Sequence, residues 1–389
     1  MFINIVNLFM INKIANIDTN PPLGLSYFSL VMIGYLIDSY WGISKVQKNP
    51  VKLGLFMTYF PILTSGPFMK YSDQEKELFD RKPFDMSRFL NGLIRMLWGA
   101  FKILVISGRI GMYVDGVYAD IGTYSWALVI LACILYVFQL YSNFSGTIDI
   151  VLGVSSLFGI ELPENFDRPL FSETITDFWR RWHITLGAWL KNYIFYPLMK
   201  SKGIQKLNRK LKESKNTKVR RIPTYICLFV VWLLIGLWHG GKLTFVIGSG
   251  LLQFLFILVE DLYDSDKQQN DKYFKFFRVV RTFILFALAM VFFRATSIDH
   301  ALDIFAGMFK DGSYDLFSTG LSMVNGIILV ISLVFMMIFD YYLSNIREFF
   351  NRTSNVIRLG FVLGLILIVL LLGVYGVGFN VTDFIYSKF

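Results

Sequence analysis

The sequence predicts an all-α, polytopic transmembrane helical bundle of about ten crossings, with re-entrant and interfacial helices besides. Three observations carry that prediction. Of the 389 residues, 55% are hydrophobic and 17% charged, with a mean hydropathy of +0.53, whereas a soluble globular chain has about a quarter charged residues. Charge is absent from several stretches long enough to span a bilayer. The formal charge of +10 is gathered in one segment instead of being spread along the chain.

The charge-free stretches are 122–141, 222–238, 243–259, 321–339 and 359–379. Each has the roughly 17 to 25 residues that cross about 30 Å of hydrocarbon as a helix. Weaker stretches, interrupted by proline or carrying an ionisable group, are 24–40, 53–69, 92–110, 145–160 and 279–296. One domain is expected over 21–389, after a short segment 1–20. The apolar run Met1–Ile11 is too short to span, and it has neither a basic region ahead of it nor a small-residue cleavage site, so no signal peptide is expected. In 298–309, Ala301, Leu302, Phe305, Met308 and Phe309 lie opposite Asp299, His300 and Asp303, the spacing of an interfacial helix. Cys133 and Cys227 each sit in an apolar stretch and read as small buried residues.

The basic excess orients the bundle. Between Lys200 and Arg221 lie ten Lys or Arg and one acid, Glu213, while the rest of the chain has 28 basic and 27 acidic residues. A short, strongly basic loop marks the cytoplasmic side and attracts anionic headgroups. From loop 200–221 the pattern continues with 263–281 inside, the acidic 298–320 outside, 344–358 inside and the C-terminus outside. Loop 41–52 also falls inside if 183–198 re-enters without crossing. The link 111–121, with Asp115 and Asp120 and no base, fits less well. The loop has no interleaved aromatics and no nucleic-acid-binding module, so nucleic acid is not an expected partner.

Ionisable groups at membrane depth are costly, and each one is a functional hypothesis. Two of the three histidines lie in tryptophan-rich surroundings on either side of the basic loop. His183 ends Phe178-Trp-Arg-Arg-Trp-His183, where a helix would put Trp179, His183 and Leu186 on one face and turn Arg180 away. Arginine stacked on tryptophan at the interface is the competing reading for Arg180 and Arg181. His239 stands in Gly236-Leu-Trp-His-Gly-Gly241, where the glycine pair breaks a hydrophobic helix and frees backbone groups, which is tolerated where they line a cavity or are buried in protein. From the residues alone, a catalytic role and a hydrogen-bonded structural role both stay open for these histidines. A metal site is not expected, because no third ligand is near in sequence. His300 lies on the polar face of its helix and reads as a solvated surface residue.

Three further features point to a hydrophilic interior. Arg95, Lys102 and Arg109 recur every seven residues and form a stripe whose centre, Lys102, faces the bundle. Asn143-Phe-Ser-Gly-Thr-Ile-Asp149 puts polar groups at an expected helix junction. Tyr59-Phe-Pro-Ile-Leu-Thr-Ser-Gly-Pro67 predicts a broken or kinked helix, and broken membrane helices line ligand sites. Ordinary packing and snorkelling are the competing account of all three.

These residues resemble the membrane-bound O-acyltransferase (MBOAT) family. Phe178-Trp-Arg-Arg-Trp-His183, followed after another helix by Gly236-Leu-Trp-His-Gly240, carries the likeness. Pro22-Leu-Gly-Leu-Ser-Tyr-Phe28, Tyr35-Leu-Ile-Asp38, Phe60-Pro61, Ser65-Gly-Pro67, Asn143-Phe-Ser-Gly146, Asp149, Leu162-Pro-Glu-Asn-Phe-Asp-Arg-Pro169, Phe293-Arg294-Ala295 and Phe384-Ile-Tyr386 extend it over 21–389. The chain is similar to the bacterial branch that includes alginate and peptidoglycan O-acetylation proteins and the teichoic acid D-alanyl transferase, and Leu162-Pro-Glu-Asn-Phe166 leans to the O-acetylation side. It departs from the family in having fewer helices ahead of Pro22-Leu-Gly, in Lys191-Asn192 where Arg-Asp is usual, and in Gly241-Lys242-Leu243.

The resemblance implies transfer of an acyl group, most simply acetyl, from a cytoplasmic acyl-CoA or acyl-carrier thioester to a hydroxyl of an extracellular or cell-wall polysaccharide. An extracytoplasmic transferase is an implied partner, and the bacterial cytoplasmic membrane the implied location. An alcohol attacks a thioester only as a base of pKa near 7 takes its proton. His239 is expected in that role, and His183 as the group that orients the hydroxyl or donor, or hydrogen-bonds the oxyanion. Trp179, Trp182 and Trp238 are expected to shape a water-excluding tunnel. Arg180, Arg181 or Lys102 would meet donor phosphates, with Asn143 and Asp149 also on the substrate side. No bound cofactor is expected. The alternatives are D-alanyl transfer to teichoic acid, a polysaccharide or lipid transporter, and a scaffold that recruits a partner through the basic loop. Transport would move substrate without acyl incorporation.

Overall fold

The computed structural model describes residues 24–80, 82–263, 272–342 and 353–375. Segment 1–20, parts of loops 263–281 and 344–358, the start of the Pro22-Leu-Gly motif and Phe384-Ile-Tyr386 lie outside the described residues. In chain order the helices are α1 (Leu25–Tyr40), α2 (Pro50–Met57), α3 (Tyr71–Phe79), α4 (Met86–Ala119), α5 (Trp126–Leu157), α6 (Ile175–Arg181), α7 (Ile184–Leu190), α8 (Lys202–Leu211), α9 (Ile222–Trp238), α10 (Leu243–Tyr263), α11 (Lys272–Arg294), α12 (Ile298–Gly307), α13 (Met323–Tyr342) and α14 (Asn355–Leu372). No strand occurs among the described residues.

Five of these, α4, α5, α10, α11 and α13, are long and apolar enough to cross a membrane, and α9 and α14 are shorter apolar helices. The protein is a multi-pass helical membrane protein. Two expected spans, 122–141 and 145–160, are one 32-residue helix, α5. The expected junction at Asn143–Asp149 is therefore mid-helix. Stretch 53–69 is broken as its prolines predict, into α2 and a 3-10 turn at Phe60–Ile62. All ten basic side chains of loop 200–221 are exposed. Within α8, Ile204, Leu207 and Leu211 are half-buried on one face while Lys202, Lys206, Arg209 and Lys210 stand outside.

The described backbone clusters into two compact units. One holds the described residues of 169–301, here called the histidine unit, and the other holds the described residues of 24–168 and 302–375.

In the second unit, glycines set the spacing of α4 and α5. A Cβ on Gly99 would stand 2.4 Å from the Gly146 carbonyl oxygen, and one on Gly153 would stand 2.6 Å from that of Gly92. This register is antiparallel, and small residues let the two backbones close up. Asp149 consequently faces Arg95 and Lys102. A π segment at Phe101–Ser107 widens α4 and re-aims the end of the expected stripe. Arg109 turns to Asn325 Oδ1 (3.2 Å) and to the Val105 carbonyl (3.0 Å).

Candidate active site

In the histidine unit, α6 is fixed before His183 is reached. The Thr174 hydroxyl accepts from the Asp177 N–H (3.0 Å), a capping bond at the helix start. The buried Glu260 carboxylate on α10 accepts the Ile175 N–H at 2.8 Å and the Arg281 guanidinium at 3.1 Å. One turn on, Trp179 Nε1 donates to Gln253 Oε1 (3.0 Å), and Gln253 Nε2 donates to the Gly248 carbonyl (3.2 Å). Gln253 is fully buried, so both ends of its amide are satisfied where an unmade bond would be costly. The aromatic side of α6 packs too, with Phe178 4.2 Å from Phe286 and Trp179 4.9 Å from Trp232 between ring centroids.

The helix then stops. Trp182 is extended, and His183 takes a left-handed backbone (φ 49°, ψ 50°) before α7 begins. The expected shared face of Trp179, His183 and Leu186 is therefore not formed, because the two helices meet at a sharp corner. A left-handed non-glycine residue costs of order 1–3 kcal/mol and persists only where its surroundings over-determine it. Here Phe178 stacks on Trp182 at 5.5 Å, and the Gly187 N–H returns to the His183 carbonyl at 3.1 Å.

The second histidine is placed by glycines. Gly236 on α9 sits against α10 so closely that a Cβ would stand 2.7 Å from Val246 Cα. His239 ends α9, its N–H bonded to the Ile235 carbonyl (3.1 Å), and Gly240 and Gly241 follow with φ 133° and 71°. The glycine pair breaks the helix as its residue type predicts.

Both imidazoles are buried, at 3% and 4% exposure, and both lie beside one indole. The Trp238 ring centroid is 6.4 Å from His183 and 5.0 Å from His239, and His239 meets Phe293 edge-on at 5.4 Å. His183 lies in a break between short helices, outside the long spanning ones. Burial pushes its pKa down to about 3, so it is neutral near pH 7.

The other expected site residues separate into two groups. Trp179, Trp182 and Trp238 belong to the histidine unit and surround the corner just described. Arg180 is exposed, and Arg181 is engaged by Asp177 at 3.0 Å. Lys102, Asn143 and Asp149 belong to the other unit. There Lys102 pairs with Asp149 and donates to Ser145 Oγ (3.0 Å), while Asn143 Nδ2 reaches Ser107 Oγ at 3.4 Å. His300 contacts Thr296 Oγ1 at 3.0 Å. Cys133 and Cys227 are buried and unbridged. Among the described residues, no three His, Cys, Asp or Glu gather so as to hold a metal.

Sequence reasoning missed Gln253, Glu260 and Phe286. Gln253 was detectable as a lone amide in the charge-free stretch 243–259, and Glu260 as the first carboxylate past its end.

Comparison with known proteins gives the following. The model of the family described as MBOAT, membrane-bound O-acyltransferase family, matches residues 48–298. The probable alginate O-acetylase AlgI of Pseudomonas syringae pv. tomato is 28% identical over 333 residues, covering 84% of this chain and 60% of the relative. The peptidoglycan O-acetyltransferase of Helicobacter pylori is 30% identical over 338 residues, covering 79% and 60%. The teichoic acid D-alanyltransferase of Bacillus subtilis is 28% identical over 226 residues, covering 56% and 53%. The matched part spans about three fifths of the length of the alginate and peptidoglycan relatives.

Proposed function

The chain belongs to the membrane-bound O-acyltransferase family, and from that premise we propose that it transfers an acyl group, acetyl in the first instance, from a thioester to a saccharide hydroxyl. One observation carries the reading: two buried histidines, His183 and His239, stand beside the same indole in an aromatic shell. The donor is an acyl-CoA or acyl-carrier thioester on the cytoplasmic side. The acceptor is an extracellular or cell-wall polysaccharide, reached directly or through a partner transferase, at the bacterial cytoplasmic membrane.

In the reaction the hydroxyl oxygen attacks the thioester carbonyl as its proton passes to a base. The C–O bond forms, the C–S bond breaks, and the thiolate recovers the proton. A base works best with a pKa near the operating pH. We assign that role to His239, which ends α9 at the glycine break. His183, neutral, holds the hydroxyl or donates to the oxyanion, where a fixed donor stabilises developing charge strongly. Trp179, Trp182 and Trp238 keep out the water that would hydrolyse the thioester.

Acetyl is preferred to D-alanyl because the relatives named for O-acetylation align over 76–85% of the chain, against 56–64% for the D-alanyltransferases. The test is to supply labelled acetyl-CoA to vesicles holding the full chain and follow label into a polymer or partner hydroxyl. General-base removal costs about 10²–10⁴-fold, so His239→Ala is expected to lose turnover by that factor while its unfolding profile is kept. Turnover retained in folded His239→Ala sinks the mechanism. Label that moves across the membrane without becoming covalently bound favours transport instead.

A further inference from the structure

His183 stands at the far end of a short arm, α6, and the near end of that arm is held by charge. The first N–H groups of a helix have no partners inside it. At the start of α6 three successive residues are each tied to something else. Glu173 pairs with Arg278 at 2.6 Å, and its carbonyl accepts from Arg281 Nη2 at 3.3 Å. Thr174 caps the helix through the Asp177 N–H (3.0 Å). Ile175 donates its N–H to Glu260 Oε2 at 2.8 Å, and Glu260 Oε1 accepts from the same Arg281 nitrogen at 3.1 Å. Thus α10 supplies a carboxylate to this clamp and α11 supplies two guanidiniums.

Glu260 is only 9% exposed. Stability is a poor account of a carboxylate kept there, since replacing a buried ion pair by apolar side chains of similar size often leaves a protein as stable or more so. Direction is a better one. With one oxygen on a backbone N–H and the other on a guanidinium, the carboxylate fixes the tilt and rotation of the helix start, which an apolar contact leaves loose. Trp179 lies midway between Ile175 and His183 and is held by Gln253. At about 1.5 Å per residue the two halves of the arm are about equal, so a slip of about 1 Å at the clamp becomes a shift of about 1 Å at the histidine corner. A misplacement of that size can cost about 10²-fold in rate. Asp261, the next residue on α10, supplies the contrast. It pairs with Arg221 at 2.6 Å and accepts from the Tyr225 hydroxyl, so it ties the start of α9. That helix is 17 residues long and is seated again near His239, where Gly236 meets Val246.

We infer that Glu260, fixed by Arg281, is a positioning residue that aims α6 and so sets where the His183 imidazole stands. The kinetic readout of this role rests on the transfer reading, and the amide-exchange readout does not.

Vesicles holding the full chain would be supplied with labelled acetyl-CoA, and the same variants in detergent followed by amide exchange over 175–183. Glu260→Met keeps the side-chain length and removes both acceptors, while Arg281 is partly exposed and can take water in exchange. Its kcat should fall about 10- to 100-fold, with KM for acetyl-CoA within about two-fold of wild type. Exchange over 175–183 should quicken while that over 222–238 holds. Glu260→Gln keeps an acceptor for the Ile175 N–H and should recover most of the lost rate. Glu260→Met with Arg281→Leu strands no charge; it should fold and stay slow, and it decides the matter if the single variant does not fold. Asp261→Asn, which weakens a like pair one residue away, should keep the wild-type kcat. The assignment is overturned by a normal kcat in folded Glu260→Met, by a loss carried by KM, by an equal loss in Asp261→Asn, by Glu260→Gln as slow as Glu260→Met, or by unchanged exchange over 175–183. If wild type itself transfers no label, the transfer reading fails, and exchange alone still decides whether Glu260 holds the arm.

Discussion

In the histidine unit the ionisable groups of the candidate site are surrounded by rings, Trp238 beside both imidazoles and Phe293 against His239. In the other unit Arg95, Lys102, Asp149 and Glu164 are surrounded by one another. Both arrangements put polar groups into apolar helices, and they suit different work. An imidazole packed against rings can be held neutral by its apolar surroundings and still carry a titratable nitrogen. A buried carboxylate shared between a guanidinium and an ammonium has no such freedom, since its removal strands the ammonium. The first arrangement suits proton transfer, and the second holds two helices and a loop in a fixed geometry.

The largest effect that would break this comparison concerns Asp149. Removing one member of a buried ion pair costs about 3–5 kcal/mol, because the partner charge is left uncompensated. Asp149→Leu is expected to destabilise the chain by about that amount in detergent unfolding. Adding Lys102→Met should return part of it, since the stranded ammonium goes and Arg95 keeps Glu164. His239→Ala should show the opposite pattern, with turnover lost and the fold kept. An Asp149→Leu chain that unfolds like wild type would mean that the charge cluster does not hold α4 to α5.

This contrast was half legible in the sequence. His183 and His239 stood out because histidine among tryptophans is out of place in a greasy chain, and the glycines after His239 do break α9. Lys102 was recognised as an interior cation and Arg95 as a member of its stripe, but no partner was named for either. Asn143–Asp149 looked like a helix end because a polar run is costly within a span. It is tolerated mid-helix because its cations arrive from α4, some fifty residues earlier, across a glycine-lined contact. No local pattern shows a pairing of that range. The corner at Trp182–His183 was hidden for the converse reason. It contains neither glycine nor proline to announce a break, and Phe178 and Trp182 pack with Phe286 there.

A smaller effect sharpens the comparison from the histidine side. If the aromatic shell depends on α10 to aim α6, the Trp179–Gln253 bond should matter to both stability and turnover. Gln253→Leu leaves the Trp179 N–H without its acceptor, a loss of about 1–3 kcal/mol. Trp179→Phe removes the donor and keeps a ring. Residues in contact show coupling of about 0.5–3 kcal/mol, so the double variant should lose less than the sum of the singles, read from denaturant unfolding. Turnover should fall in Gln253→Leu more than in a variant of equal stability made outside the histidine unit, such as one in α3. Strict additivity would show that the bond does not tie α6 to α10.

The smallest effect tests how the loop of the second unit is held from outside its charge cluster. Glu77 on α3 accepts the Glu161 N–H at 3.0 Å and pairs with Lys82, so it fastens the start of the segment that carries Glu164 and Arg168. Burial pushes the Glu77 carboxyl up, but the bonds from Lys82 and Glu161 and the charges of Lys82 and Arg88 outweigh it and hold the group below its ordinary value of 4.5. A lowered folded pKa gives stability that is present in full above the unfolded value. That stability is lost as pH falls through the folded value. The pair is partly exposed, so its worth is that of a surface ion pair, about 0.5 kcal/mol. Glu77→Gln should therefore unfold slightly earlier than wild type at pH 7, and the gap between them should close as the pH is taken below about 4.5. A gap that persists or widens in acid would assign the difference to packing of α3, leaving the loop to be held by its other contacts, Arg88 to the Gly159 carbonyl and Arg95 to Glu164 among them.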